Sequence, residues 1–334
     1  MKTAKNNATV AQPTVTAVEI CDPTTGGENF EVINQDLVQL RSEPLRARRV
    51  IVRLEAAVLI SQSTNLAVRT RTKLMPGMMG VVAFGPQAKG TINGRLIHPD
   101  LMLIAAVGTE GQFVVEGGYE SISVSIRPAD LEAHLRARQQ WERFYMPVDI
   151  DLLDCDAGKV RAFFSWGKRL ADTATWQPDL FEGRKEVRAV VQIELVEMLL
   201  ETISSADRHP LTRTDKTRQD YSHVVQLAED YALKQTDAPL RVPDLCKAAA
   251  VSERKLQYAF EEVMGMSPVV YLKRLRLHRV HQALGAATHG TTTISVEALK
   301  WGFWHFGDFS RAYKDCFGEL PSETLRRTPA ESER

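Results

Sequence analysis

The stretch "WGFWHFGDFSRAYKDCFG", residues 301–318, decides how the C-terminal part of this chain folds. It is crowded with aromatic residues, although such residues make up only 7% of the 334-residue chain. They are Trp301, Phe303, Trp304, Phe306, Phe309, Tyr313 and Phe317. Three interpretations are open for the cluster: an active-site pocket, a surface on which nucleic-acid bases stack, or the hydrophobic core of a small module.

A second copy of the pattern decides between these interpretations. It lies 53 residues earlier, in "AAAVSERKLQYAFEEVMG" at residues 248–265. Small or apolar residues coincide at most positions of a gapless alignment. The aligned pairs are Ala298 with Leu245, Gly302 with Ala249, Phe309 with Leu256, Ala312 with Ala259, Tyr313 with Phe260 and Phe317 with Met264. Agreement at so many positions indicates the internal duplication of a short helical module.

Each copy has the same order of structural signals. A short amphipathic helix ends in small residues, a tight turn follows, and a second helix carries apolar residues four positions apart on one face. Gly265 and Gly318 are placed to end that helix, and Pro268 and Pro321 to start the next one. This is the order of a helix-turn-helix unit. The expected core of the second unit is Phe303, Phe309, Tyr313 and Phe317.

The polar residues of the two copies lie on the face opposite to the apolar one. They are Glu253, Arg254, Lys255, Gln257 and Tyr258 in the first copy and His305, Gly307, Asp308 and Arg311 in the second. Polar side chains on the first turns of a second helix are what a recognition helix offers to base edges. For one such helix a solvated face would be the simpler interpretation, but two copies in register favour DNA recognition. Trp304 and Phe306 either touch DNA or cap the core.

The segments "VSERKLQYAFEEVMGMSPVVYLKRLRL" and "WGFWHFGDFSRAYKDCFGELPSETLRR" resemble the two helix-turn-helix units of the AraC/XylS family of bacterial transcription regulators. The resemblance covers roughly residues 220–327. It implies double-stranded operator DNA and RNA polymerase as partners, no cofactor, and one long helix that joins the units. It also implies a preceding domain that senses a small molecule (an amine, an amino acid or an aromatic acid) or mediates dimerisation. The expected function is a sequence-specific regulator, an effector-responsive activator of a catabolic operon.

The N-terminal half differs in pattern. Residues 48–127 contain short β-branched segments separated by turn signals such as Met75-Pro76-Gly77, which favours a β-barrel or sandwich. Strands followed by helices resemble the cupin-like barrel of family members, so the expected fold class is α+β with two domains. The expected boundaries are a flexible lead-in at 1–35, the cupin-like domain at 36–203, a linker at 204–217 and the DNA-binding domain at 218–328.

A helix predicted at 186–203 is more apolar than an ordinary surface helix. Ile193, Val196 and Leu200 lie along one face, and Leu195 and Leu199 widen it. The plain interpretation is a helix packed on the barrel. A partner chain against the surplus face, giving a homodimer, is the second interpretation, and the two are compatible.

Enzymatic interpretations compete with a regulator. A metal-dependent cupin needs clustered histidines, but His98 is the sole histidine among residues 48–127. An alkylation-repair protein needs clustered cysteines, and Cys21 and Cys155 lie far apart. We therefore expect no enzyme and no metal site. Without a long apolar run or an apolar leader, we expect a cytoplasmic protein with no membrane partner. A regulator that answers to another protein stays open.

Overall fold

A computed structural model describes residues 13–23, 33–139, 146–204, 206–235, 241–287 and 291–327. The strands are β1 (Val15–Ile20), β2 (Ile33–Gln39), β3 (Ala47–Arg53), β4 (Ala57–Thr64), β5 (Val68–Leu74), β6 (Met79–Phe84), β7 (Gly90–Ile92), β8 (Arg95–Ile97), β9 (Leu101–Ala105), β10 (Glu110–Val115), β11 (Tyr119–Ile126), β12 (Ile150–Asp154) and β13 (Asp207–Arg208). The helices are α1 (Pro128–Ala137), α2 (Ala157–Trp176), α3 (Lys185–Ile203), α4 (Arg213–Lys234), α5 (Val242–Ala248), α6 (Glu253–Met264), α7 (Pro268–Gly285), α8 (Ile294–Lys300), α9 (Phe306–Phe317) and α10 (Pro321–Arg326). An N-terminal β domain precedes a C-terminal helical domain, as the α+β two-domain class predicts. Over the ranges described, no helix is long and apolar enough to cross a membrane.

The β domain consists of two antiparallel sheets packed face to face. The first has the order β1-β3-β4-β11-β6-β9-β12-β13, and the second β2-β5-β10-β7-β8. Successive side chains of a strand point to opposite faces. On β3, Val50 and Val52 pack toward the helices outside the first sheet, whereas Arg49 faces the space between the sheets. Both faces of the first sheet are thus covered, which explains its nearly continuous apolar strands. The cupin-like assignment stays a prediction.

Helices α2 and α3 cover the outer face of the first sheet. Leu195 and Leu199 of α3 are 0% exposed and lie in one hydrophobic cluster with Phe163 of α2. The expectation that a partner chain packs on this face of the helix is therefore wrong, because the core of the β domain already occupies it. The exposed apolar residues of α3 are Val190 and Ile193. Dimerisation itself stays a prediction.

The expected lead-in and the expected linker both contain regular secondary structure. Within the expected lead-in 1–35, β1 pairs with β3 as the edge strand of the first sheet. Within the expected linker 204–217, β13 pairs with β12, and α4 begins in a capping box formed by Thr212 and Asp215. Polar composition predicted loose chain in both places. An edge strand and a helix cap are held by hydrogen bonds of the backbone and of polar side chains, and they need no apolar residues. A polar composition therefore does not reveal either of them.

The helical domain packs against the outer face of the second sheet. One hydrophobic cluster joins Val38 of β2 to Val225 of α4, Phe260 of α6 and Tyr271 of α7. The molecule is therefore layered: helices α2 and α3, the first sheet, the second sheet, and then the helical domain. This order places a two-strand wall, β2 and β5, between the interior of the β domain and the helices α4 and α7.

Candidate DNA-binding surface

The first helix-turn-helix unit consists of α5 and α6. The turn between them passes through Ala250, which has φ +53° in the left-handed region. Ser252 then caps α6, because its hydroxyl accepts a hydrogen bond from the backbone N–H of Lys255. Gly265 ends the helix at φ +66°. A serine cap and a left-handed glycine thus fix both ends of the first candidate recognition helix.

The second unit, α8 and α9, repeats this design with one change. Helix α9 lies 53 residues after α6 and ends at Gly318 with φ +77°, as the gapless alignment predicts. The turn is longer by one residue, however, because its left-handed position is Gly302, 52 residues after Ala250. The alignment of Gly302 with Ala249 is therefore wrong by one position, and so is that of Ala298 with Leu245. His305, at the N-cap of α9, makes no side-chain cap bond.

The aromatic residues of the quoted stretch form the core of the second unit. Phe309 and Tyr313 are buried, and Phe303 and Phe317 pack partly buried against them. The Phe303 and Phe309 rings have centroids 5.2 Å apart, and those of Tyr313 and Phe317 lie 4.7 Å apart. The Tyr313 hydroxyl is hydrogen-bonded to His281 and to Thr324. The expected core is confirmed, and an active-site interpretation of the cluster is not needed.

The predicted reading residues of α6 lie on its solvent side but differ in their contacts. Arg254 lies over the ring of Tyr258, with its guanidinium carbon 5.5 Å from the ring centroid. Gln257 donates a hydrogen bond of 2.8 Å to Glu261. Lys255 turns toward α4, where its ammonium pairs with Asp220 at 2.7 Å. Lys255 is therefore the one of the five predicted residues that is engaged by a neighbouring helix. Glu253 is exposed to solvent.

The predicted reading residues of α9 lie together at its N-terminal end. His305, Gly307, Asp308 and Arg311 are all exposed. Arg311 and Asp308 approach to 3.6 Å, with side chains 77% and 69% exposed, so water screens this pair strongly. An exposed, weakly held pair can exchange its internal contact for base edges at little cost. No backbone atom near Gly307 would meet an added Cβ, so this glycine is not required by packing.

Two aromatic residues at the start of α9 are exposed. Trp304 is 57% and Phe306 is 43% exposed. The sequence left open whether they cap the core or touch DNA, and the structure places neither in the core cluster. Both lie next to His305, so they belong to the same surface.

Helix α7 joins the two units and is held from the side by the β domain. Arg279 pairs with Asp36 of β2, and Arg274 donates a hydrogen bond of 3.0 Å to Ser42. Farther along, His281 lies 2.9 Å from Asp22. The helix has 18 residues, which corresponds to about 27 Å at 1.5 Å per residue.

A buried ion pair connects the two domains. Arg69 of β5 pairs with Glu229 of α4 at 2.9 Å, and both side chains are 2% exposed. The Tyr271 hydroxyl of α7 also donates to Glu229. Although burial opposes charge on Arg69, the attraction of Glu229 raises its pKa overall. Removing one partner would leave a buried charge, so this contact fixes α4 and α7 on the second sheet.

Along both strands of the two-strand wall, residues alternate between the domains. On β2, Gln35 and Leu37 line a cavity inside the β domain, whereas Asp36 between them pairs with Arg279. On β5, Thr70 lines the same cavity, while its neighbour Arg69 reaches Glu229. The alternation follows from the two-residue period of a strand. One wall therefore faces the cavity on one side and helices α4 and α7 on the other.

Comparison with known proteins gives a family match in the C-terminal region. The family model described as "Helix-turn-helix domain" matches residues 245–327. The probable thc operon regulatory protein of Rhodococcus erythropolis is 31% identical over 141 residues, 42% of this chain and 42% of that protein. XylDLEGF operon transcriptional activator 3 of Pseudomonas putida is 36% identical over 107 residues, 32% of this chain and 31% of that protein. The chain thus matches less than half the length of these two curated relatives.

Among solved structures, the chain is similar to a probable AraC family transcriptional regulator from Rhodopseudomonas palustris. The identity is 38%, and the match covers 31% of this chain and 95% of that one, with a TM-score of 0.28.

Proposed function

We propose that this chain is a sequence-specific DNA-binding transcription regulator of the AraC/XylS family. The helix-turn-helix family model that matches residues 245–327 and relatives named as operon regulators support the proposal. The observation that carries the proposal is the pair of units, each with an exposed, polar second helix, joined by α7. A helix of about 27 Å is close to the ~34 Å of one turn of B-DNA. Such a spacer suits two recognition helices in successive major grooves on one side of the duplex.

The residues proposed to read bases are the exposed polar residues of the two second helices. They are Glu253, Arg254, Gln257 and Tyr258 of α6 and His305, Asp308 and Arg311 of α9, with Gly307 allowing close approach and Lys255 supporting α6 through Asp220. Arginine and glutamine make paired hydrogen bonds to guanine and adenine in the major groove. The two sets differ in composition, so the two half-sites should differ in sequence.

The finer parts of the proposal concern regulation. The β domain senses a small molecule and the protein activates a catabolic operon by contacting RNA polymerase in the cytoplasm, as a homodimer. The catabolic role is supported by relatives that are named as operon regulators. The sensing role is supported by a β domain that encloses a cavity and touches both helix-turn-helix units, α6 through the cluster of Val38 and α9 through the hydrogen bond from Gln39 to the Cys316 carbonyl. It acts as a regulator and not as an enzyme.

Selection of binding sites from random duplex DNA with the full chain tests the proposal. We expect an asymmetric site for each protomer, with two different short blocks centred about 10–11 bp apart. Inserting 5 bp between the blocks should abolish the two-block complex, because one block turns to the far side of the duplex. An insertion of 10 bp should not restore it, because α7 cannot lengthen.

Two results would contradict the proposal. If selection enriches no sequence, the helices do not read bases. If the enriched site tolerates the 5 bp insertion, only one unit touches DNA. The variant Lys185→Ala serves as a matched control, because Lys185 is exposed on α3, far along the chain from both units, and should leave the selected site unchanged.

A further inference from the structure

Exposed aromatic side chains concentrate on the two proposed reading surfaces. Among the residues that the structure describes, the exposed tryptophan, tyrosine and phenylalanine side chains are Trp176, Tyr258, Trp304 and Phe306. Tyr258 belongs to α6, Phe306 is the first residue of α9, and Trp304 lies just before the N-cap of α9. Trp304 and Phe306 are largely apolar, so a partner that covers them must offer apolar atoms at this end of α9.

The folding of the second unit does not account for Phe306. Its ring lies outside the hydrophobic cluster of that unit. The first position of a helix favours an acidic side chain, which interacts well with the helix dipole. The first residue of α6 is accordingly Glu253, which lies 53 positions before Phe306. An exposed phenylalanine at this position leaves apolar surface in water and lacks the favourable charge, so its presence points to a partner that covers the ring.

The start of α9 is open to the close approach of a partner. His305 makes no side-chain cap bond, whereas Ser252 is held at the same place in α6 by its bond to a backbone N–H. Next to Phe306 stands Gly307, and none of the described heavy atoms lies within 4 Å of a Cβ added there. The surface beside the Phe306 ring is therefore clear of other groups of the unit. The proposed reading residues Asp308 and Arg311 follow on the same helix.

We propose that Phe306 packs on the 5-methyl group of a thymine in the operator block that α9 contacts. The N-terminal residues of a recognition helix are the ones that reach base edges. In the major groove the apolar feature of those edges is the thymine methyl, and phenylalanine is one of the side chains that contact it. The charged Glu253 of the first unit is assigned no such contact. The inference rests on the proposed function and names the chemistry that selects one of its two half-sites.

A single methyl group can be removed from DNA without any other change to the base pair. Deoxyuridine lacks the 5-methyl group of thymidine but pairs with adenine in the same way and presents the same hydrogen-bonding groups. Burial of one such group corresponds to a change of about four-fold in affinity. A thymine covered by Phe306 should therefore be preferred over uracil by about four-fold.

Competition gel shifts with the full chain test the inference on the site selected from random duplex DNA. The block contacted by α9 is the one at which Asp308→Ala or Arg311→Ala changes the base preference. We expect this block to contain a thymine whose replacement by deoxyuridine weakens binding about four-fold. With cytosine at the same position, 5-methylation of that cytosine should strengthen binding by a similar factor, because it returns the methyl group to the same place in the groove.

Variants of Phe306 assign the methyl preference to this side chain. In Phe306→Ala the preference for thymine over uracil should disappear in this block, whereas thymines of the other block should behave as with the wild type. Phe306→Leu should keep the preference, because leucine is also apolar. Phe306→Glu should lose it, and a glutamate in the first turn does not weaken the helix. Val296→Ala is the matched control, because Val296 is an exposed apolar residue of the same unit that lies on α8. It should keep the preference.

Several results would overturn the inference. They are a block for α9 without thymine, equal binding of thymine and uracil in it, or an unchanged preference in folded Phe306→Ala. If Phe306→Ala does not fold, as judged by circular dichroism, Phe306→Glu decides. If neither Asp308→Ala nor Arg311→Ala changes the preference at any base, α9 reads no bases and the inference fails.

The same experiments separate this inference from the proposed function. A selected site that is insensitive to the methyl group overturns the Phe306 contact alone and leaves the regulator proposal standing. Enrichment of no sequence overturns both.

Discussion

The two helix-turn-helix units share one design, yet they are stabilised differently. The first unit packs into a cluster that continues into the β domain through Val38 and Leu40. The described members of the second cluster, in contrast, all lie between Leu277 and Leu325, and the β domain reaches that unit through polar contacts such as Gln39 with the Cys316 carbonyl. Duplication therefore preserved the local fold of the two copies but not their dependence on the rest of the chain.

Truncating one core aromatic residue in each unit should show whether the two hydrophobic clusters are stabilised independently. Phe260→Ala and Phe309→Ala should each cost about 3–5 kcal/mol, because both rings are buried and leave a cavity. Hydrogen exchange measured peptide by peptide should show loss of protection confined to 277–325 for Phe309→Ala. For Phe260→Ala the loss should extend into β2. Equal effects of both variants on β2 would mean that the clusters are not separate.

The reading faces should be separable on DNA. Arg254→Ala and Gln257→Ala should weaken binding at one block of the selected site, and Asp308→Ala and Arg311→Ala at the other. Each loss should be about 1–3 kcal/mol and should vary with the base at that block. Competition gel shifts with single-base variants measure this. A uniform loss on all sequences, random DNA included, would assign these residues to phosphate contacts.

Acid should weaken the second unit through His278 of α7. Burial, followed by the positive charges of neighbouring side chains, lowers the pKa of His278 far below its usual value. The folded protein keeps this ring neutral, while the unfolded chain binds a proton below about pH 6.5. The contribution of neutral His278 to the free energy of unfolding is therefore fully present above about pH 6.5. It decreases at lower pH, by at most about 1.4 kcal/mol per pH unit.

Urea unfolding at pH 5.5 and 7.5 measures this effect. The charged or titratable groups that act on His278 are His281, Arg274, Arg279 and Asp22. In His278→Phe, which keeps an aromatic ring against Phe317, the difference between the two pH values should shrink. An unchanged difference would assign the acid effect to other groups.

Substitutions in the turns of the two helix-turn-helix units should have the smallest effects on stability. Gly302→Ala should cost about 1 kcal/mol, because a Cβ is unfavourable at φ +78°. Ala250→Gly should change stability by less than about 0.5 kcal/mol, since relief at φ +53° is offset by the greater freedom of glycine in the unfolded chain. Thermal melting of both variants checks the pair. A large gain for Ala250→Gly would show that the first turn is strained.

Sequence alone predicted the features that repeat or alternate. The duplicated spacing located α6 and α9 and the aromatic core around Phe309 and Tyr313. It missed the extra residue of the second turn, because alanine at position 250 gives no signal of a left-handed conformation. A gapless alignment of the two copies still matched apolar with small residues after a shift by one residue, because the first helix of each unit is short. The alignment therefore gave no sign that a gap was needed.

Contacts between the domains were beyond sequence reasoning. The chain has 42 basic and 42 acidic residues, and no spacing rule connects Arg69 with Glu229, which are 160 residues apart. The cavity position of Arg49 was hidden for a similar reason. Arg48 and Arg49 are adjacent and chemically alike in the sequence, yet Arg49 is 2% exposed while Arg48 is half-buried, because the second sheet covers only the face to which Arg49 points.

The alternation along β2 has a practical consequence for engineering. Substitutions at positions 33, 35 and 37 change the lining of the cavity, and substitutions at 36 and 38 change how the helical domain is held. The cavity lining and the contact with the helical domain can thus be randomised in separate libraries on a single strand. The same geometry makes the strand intolerant of a one-residue insertion, which would exchange the two sets of side chains at once. Indels in β2 should therefore be far more damaging than most point substitutions there.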